Sequence, residues 1–140
     1  MTPDVNVLIA AFRQDHTHHR AARAWFSASG AASEVLLLFP MVLASFVRLV
    51  IHPKVFTTPA PIAEAFGFVD ALSARPGARM LELGGEWPIL RDLCVRLNLE
   101  PNDIQDAWLA AAVRRHGDHL VTFDAGFRRL LKRSELTILV

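Results

Sequence analysis

The sequence predicts an α/β fold with a central, mainly parallel β-sheet flanked by helices. Two observations carry that expectation. Val35-Leu36-Leu37-Leu38-Phe39, Leu120-Val121-Thr122-Phe123 and Leu136 to Val140 are continuous apolar runs of strand length, the pattern of strands covered on both faces. Helix-length segments with apolar residues at helical spacing separate them, which suits strands that run the same way and are joined by crossovers.

In chain order, Asp4 is placed to cap a helix formed by Val5 to Phe12. Few residues precede it and Pro3 offers no N–H, so any strand feeding Asp4 is expected to be short. A second helix is expected from His18 to Ala28, with Ala21, Ala22, Trp25 and Phe26 at helical spacing, and Gly30 is expected to end it. Pro40 suits the first turn of a helix reaching about Ile51, which His52-Pro53 stops. Pro61 starts another, to about Ala74, and Pro76-Gly77 is a turn. Arg79 to Leu83 is expected as a strand, closed by Gly84-Gly85. Trp87 to Leu97 then forms a helix that buries Leu90, Leu93, Cys94 and Leu97. After Pro101 come a helix from Asp103 to His116, the strand Leu120 to Phe123, a short basic helix over Ala125 to Lys132, and a last strand, Leu136 to Val140. No repeat or low-complexity tract divides the chain, so residues 1–140 are expected to form one domain.

Hydrophobic residues make up 52% of the chain and charged residues 21%, which excludes a disordered polymer. The formal net charge of +1 gives no global signal for nucleic acid. Of the 15 cations 13 are Arg, which suits phosphate better than Lys does, although a codon bias toward Arg is the plainer explanation. Cys94 is the only cysteine, which rules out an internal disulfide and fits a reducing compartment. The start of the chain lacks the basic and apolar segments of a signal peptide. The uncharged stretch from Val35 to Val47 contains Pro40 and is shorter than the roughly 20 residues of a membrane span. A soluble cytoplasmic protein with no membrane partner is the expectation.

The stretch from Pro101 to Asp124 carries the chemistry. Asp103 and Asp106 stand at the front of a helix, and Asp124 lies at the downstream end of a strand. In open α/β sheets, sites form beyond the carboxyl ends of the strands, so the topology draws Asp124, Asp106 and Asp4 toward one end of the sheet. Each acid also has a local explanation, because carboxylates cap helices and favour the first turn. Together, however, they would repel one another and some would be driven to protonate unless a cation were present. A hard divalent ion removes that penalty and pairs with substrate phosphate. No thiolate cluster or His-rich ligand spacing competes, so Mg²⁺ or Mn²⁺ is preferred over Zn²⁺.

Five motifs in order then point to a family. They are Asp4-Val5-Asn6-Val7-Leu8-Ile9; His19-x-x-Ala22-x-x-Trp25; Phe46-x-Arg48 with His52-Pro53-Lys54-Val55-Phe56; Asp106-Ala107-x-Leu109-Ala110-Ala111; and Thr122-Phe123-Asp124-x-x-Phe127. Over nearly the whole chain they resemble the PIN-domain ribonuclease toxins of the VapC family. The resemblance implies a PIN-like three-layer α/β fold that binds Mg²⁺ or Mn²⁺ and cleaves RNA. It also implies a homodimer neutralised by a VapB antitoxin whose tail enters the active-site groove. Carried over by motif, Asp4 and Asp106 are the principal metal ligands and Asp124 a third acid, all three catalytic. Asn6 and Thr122, with Ser45, would orient the carboxylates.

Two departures from the family pattern leave the site poorer in carboxylate. Many members place Glu where this chain has Ser45, and a second acid where it has Gly126. Asp103 is a possible auxiliary acid. Arg48, Arg128 and Arg129 are candidate RNA-binding residues, the last two on a basic edge with Lys132 and Arg133. His16, His18 and His19 are read as surface and capping residues, His116 and His119 as a solvated link, and Cys94 as core. Other functions remain open at this point: a degenerate PIN module that binds RNA or an antitoxin without cutting, and a PIN-like DNA nuclease.

Overall fold

Every strand pairing in the computed structural model, which covers residues 1–140, is parallel. The elements run β1 (Thr2–Pro3), α1 (Val5–Phe12), α2 (His19–Ala31), β2 (Leu36–Leu38), α3 (Pro40–Val50), α4 (Ile62–Ser73), β3 (Ala78–Met80), α5 (Trp87–Arg96), α6 (Ile104–Arg115), β4 (Leu120–Thr122) and β5 (Leu136–Ile138). Strand β4 lies between β1 and β5, with Thr2 opposite Leu120 and Thr122 opposite Ile138. A second pair, β2 with β3, places Leu36 opposite Ala78. The Leu37 N–H donates to the Met1 carbonyl at 2.9 Å and so ties this pair to the first sheet beside β1.

Helix α1 packs on α2 and α3, α3 packs on α4, and α5 lies along α6, so helices flank the strands. Twenty-nine buried apolar residues form one cluster drawn from nearly all of these elements. Phe46, fully buried on α3, stands edge-on to Phe12 with ring centroids 5.4 Å apart and lies 5.1 Å from Phe68. The Phe of the Phe-x-Arg motif is therefore a core residue, and truncating such a ring typically costs about 3–5 kcal/mol. Helix α6 presents Ala107, Ala110, Ala111 and Ala112 to the interior, small side chains that let the helix carrying Asp106 approach closely.

Several boundaries differ from the sequence expectation. Gly30 does not end α2, which continues to Ala31. Its missing side chain admits Arg75, because a Cβ there would stand 2.8 Å from a guanidinium nitrogen. The third strand begins at Ala78, not Arg79, and ends at Met80; its limits follow the pairing with β2. The helix expected from Asp103 starts as a 3₁₀ turn, Pro101–Asp103, and becomes α-helical at Ile104. The basic helix after Asp124 is a 3₁₀ turn, Ala125–Arg129, and a further turn, Arg133–Glu135, precedes β5. No helix is long and apolar enough to cross a membrane.

Candidate active site

The ends of β1 and β4 lie side by side, and that adjacency builds the site. β1 gives way at once to α1, so Asp4 occupies the turn between them as the helix cap. Its N–H continues the strand by donating to the Val121 carbonyl at 2.9 Å. Its Oδ1 accepts the Val5 N–H at 2.7 Å, and its Oδ2 accepts the Thr122 hydroxyl at 2.6 Å. Only 8% of Asp4 is exposed.

Thr122 is fully buried and acts as a junction. Its oxygen accepts the Asn6 amide at 2.9 Å and the Asp124 N–H at 3.0 Å, while its proton goes to Asp4. Asn6 Oδ1 in turn accepts the Phe123 N–H at 3.1 Å. Asn6 lies two positions past the capping residue on α1, so a single side chain binds the first turn of that helix to the end of β4.

Burial pushes the Asp4 carboxyl up from the usual 3.8 to about 6, against the lowering effect of the bonds from Thr122 and Val5; the charges of Asp106 and Asp124 push it further up. Asp106, in the first turn of α6, is raised by burial, then by Asp124 and Asp103, with Arg129 opposing. Asp4 thus lies in the field of Asp106 and Asp124, and Asp106 in that of Asp124. The three are not drawn into ligand contact: no three His, Cys, Asp or Glu side chains are grouped so as to hold a metal ion as they stand. The donors nevertheless suit a hard divalent cation, being all carboxylate oxygens, and Asp4 is raised first by burial and further by the neighbouring acids, a penalty that a bound cation would offset.

Asp124 folds back on its own turn. Its Oδ1 accepts the Gly126 N–H at 2.7 Å, and a Cβ at position 126 would stand 2.9 Å from that oxygen. Gly126 therefore accommodates the Asp124 turn, at the position where an acid was looked for.

Asp103 is committed elsewhere. It forms an ion pair with Arg129, and its other oxygen accepts the Glu100 N–H at 3.2 Å. Arg129 in turn lies in the field of Asp106 and Asp124. Arg48 is exposed, on the last turn of α3, and carries no ion pair; Ser45, one turn earlier, is half-buried. Arg128 lines a cavity of about 640 Å³ with Lys132, Arg133, Leu131, Leu136 and Ile138.

Three contacts lie outside what the sequence predicts. One is the Asp103–Arg129 pair. Another is a stack of His18 on Phe123, with centroids 4.4 Å apart and planes 20° from parallel. Here the capping role expected of His18 is corrected: it occupies the N-cap position of α2, but its side chain makes no capping bond. The third is Glu86, 3% exposed, which accepts the Trp108 indole N–H at 2.7 Å and the Gly84 N–H at 2.7 Å. Spacing in the sequence signals none of these. His119 is not simply solvated either, since its ring nitrogens meet the Ser134 carbonyl at 3.0 Å and the Thr137 hydroxyl at 2.6 Å.

Comparison with known proteins identifies the family and the fold. The PIN domain family model matches residues 1–132. Ribonuclease VapC31 of Mycobacterium tuberculosis is 40% identical over 133 residues, spanning 90% of this chain and 89% of that protein. Ribonuclease VapC25 of the same organism is 39% identical over 127 residues, with the same shares of each chain. Among solved structures, VapBC2 from Rickettsia felis, crystallised with a DNA fragment from its promoter, superposes with a TM-score of 0.72 over 99% of this chain and 98% of that one, at 14% identity. M. tuberculosis VapC20, described as a toxin that cleaves the sarcin–ricin loop, gives 0.66 over 91% and 92%, also at 14% identity. Those two likenesses show the fold; the closer sequence relatives and the family model show the lineage. The chain belongs to the PIN-domain family and, within it, to the VapC ribonucleases.

Proposed function

We propose that the protein is the toxin of a VapBC toxin–antitoxin pair and hydrolyses RNA phosphodiester bonds with Mg²⁺ or Mn²⁺ at Asp4, Asp106 and Asp124. The placing of these acids at the paired ends of β1 and β4 and in the first turn of α6, with Asp4 in the field of the other two, carries the reading. When bound, such an ion polarises the phosphate and makes water a stronger nucleophile.

The protein's own residues do the positioning. Thr122 and the Val5 N–H fix both oxygens of Asp4, so its carboxylate needs no reorganisation when its proton leaves. Asn6 holds Thr122 and the Phe123 backbone in register. The Asp106 carboxyl takes no hydrogen bond and is free to serve as a ligand. Asp103, paired with Arg129, serves as an anchor for that arginine and not as an auxiliary ligand. Arg48 and Arg128 are left to meet the RNA backbone, with Arg129 beside the acids. A VapB antitoxin that covers the acids would block access, and the apolar helices α3 and α4 supply a surface for a homodimer.

The test is to incubate the purified protein with labelled RNA and with single-stranded DNA, in Mn²⁺ and in EDTA. RNA cleavage in Mn²⁺ alone is expected. RNA binding without cleavage in either condition would contradict the proposal and favour a module that only binds.

A further inference from the structure

The stack of His18 on Phe123 belongs to no part of the catalytic arrangement described above, yet it stands directly beside it. Phe123 sits between Thr122, which holds Asp4, and Asp124. Its N–H is fixed by Asn6 at 3.1 Å. His18 reaches it from the link between α1 and α2, and the two rings lie nearly parallel at 4.4 Å. His16 extends the group: its ring is 5.8 Å from that of His18, and its Nδ1 accepts the His18 N–H at 3.1 Å. All three rings are half-buried, so none is sealed within the core.

A half-buried aromatic pair beside the candidate acids is the chemistry that receives an unpaired nucleobase. Bases splayed from single-stranded RNA stack on Phe and His, and replacing such a ring with alanine weakens binding measurably and with little regard to sequence. Resting on the ribonuclease reading, we propose that His18 and Phe123 form a stacking platform for one unpaired base next to the scissile phosphate. The anchoring of Phe123 through Asn6 makes the position of that base depend on the same network that positions Asp4. Seating the base would therefore set which phosphodiester lies over the acids.

The experiment has two arms. First, a random-sequence pool of short single-stranded RNAs is cleaved in Mn²⁺ by the unmodified protein, and the best-cut sequence is identified. That oligonucleotide is then made with one abasic residue placed at each position in turn. Binding of the series is measured by fluorescence anisotropy to Asp106→Asn protein, which is expected to hold RNA without cutting it. Loss of the base at one position adjacent to the cleaved bond is expected to weaken binding on the order of tenfold. Adding His18→Ala should erase that difference, whereas adding His18→Phe, which keeps a stacking ring, should retain it. His18→Leu, which keeps an apolar group against Phe123, replaces His18→Ala should the latter fail to fold. Equal affinity across the abasic series, or the same abasic penalty in the His18→Ala background, would overturn the platform while leaving the ribonuclease reading intact. No cleavage of the pool in the first arm would overturn both.

Discussion

Thr122 donates its hydroxyl proton to Oδ2 of Asp4 at 2.6 Å, across 118 residues of sequence. One bond thus joins the end of β4 to the turn after β1 and fixes the most buried of the candidate catalytic acids. The same oxygen accepts from Asn6 and from the Asp124 backbone, so its hydrogen-bonding capacity is filled.

Replacing Thr122 with Val should therefore do two things. Removing a shared partner leaves buried polar groups unmatched, and stability should fall by about 1–3 kcal/mol in urea unfolding. Asp4 also loses a bond that favours its ionised form, so the acidic limb of the cleavage pH profile should move upward. An unchanged profile would mean that Asp4 does not need to ionise for cleavage.

The raised value of Asp4 makes stability depend on pH in a stated direction. Its value in the folded protein, about 6, lies above the unfolded value near 3.8, so the folded state binds the proton more tightly. Between those limits metal-free protein should lose stability as pH rises, and the cost, on the order of 3 kcal/mol, is fully present above about pH 6. Asp4→Asn removes this cost but leaves Thr122 with a poorer partner. The variant should gain on the wild type between pH 4 and pH 6.5 in denaturant titrations, while losing nuclease activity.

Divalent ions should show the complementary effect. A cation that binds the ionised acids stabilises the folded state by mass action, and it must displace the Asp4 proton to do so. Mn²⁺ at 1 mM (about that order, for a weak carboxylate site) should raise the melting temperature more at pH 7.5 than at pH 5. Calorimetric titration of Asp106→Asn with Mn²⁺ should show the ion's binding heat greatly reduced.

Position 45 offers a gain-of-function test. Ser45 is half-buried on α3 and stands where many family members carry Glu. Ser45→Glu should add a carboxylate to a site already short of them and tighten Mg²⁺ binding several-fold by calorimetry. Unchanged affinity would place position 45 out of reach of the ion.

What the sequence showed of this site depended on how local each signal was. Asp4, Asn6, Thr122 and Asp124 lie in two short motifs, and two adjacent parallel strand ends suffice to bring those motifs together. The Asp103–Arg129 pair and the His18–Phe123 stack are set by how two turns and a helix link pack, which no periodicity encodes. Gly30 illustrates the same limit from the other side: a glycine that reads locally as a helix end lies inside α2, because Arg75 occupies the space beside it. Gly126, read as a missing acid, has a role visible only with the Asp124 turn in place. The third strand shifted for a related reason, since its limits come from pairing with β2 and not from its own composition.

Asp4, Asp106 and Asp124 are proposed to form one metal-dependent centre for RNA hydrolysis. It is tested most directly by single-turnover cleavage of labelled RNA in Mn²⁺, comparing wild type with Asp106→Asn, whose fold is checked by circular dichroism. Asp106 is half-buried and takes no hydrogen bond, so the substitution should preserve the fold. The rate should fall by a factor on the order of a hundred or more, as expected for removing a charged group that acts on the transition state. Retention of the wild-type rate by a folded Asp106→Asn protein would contradict it.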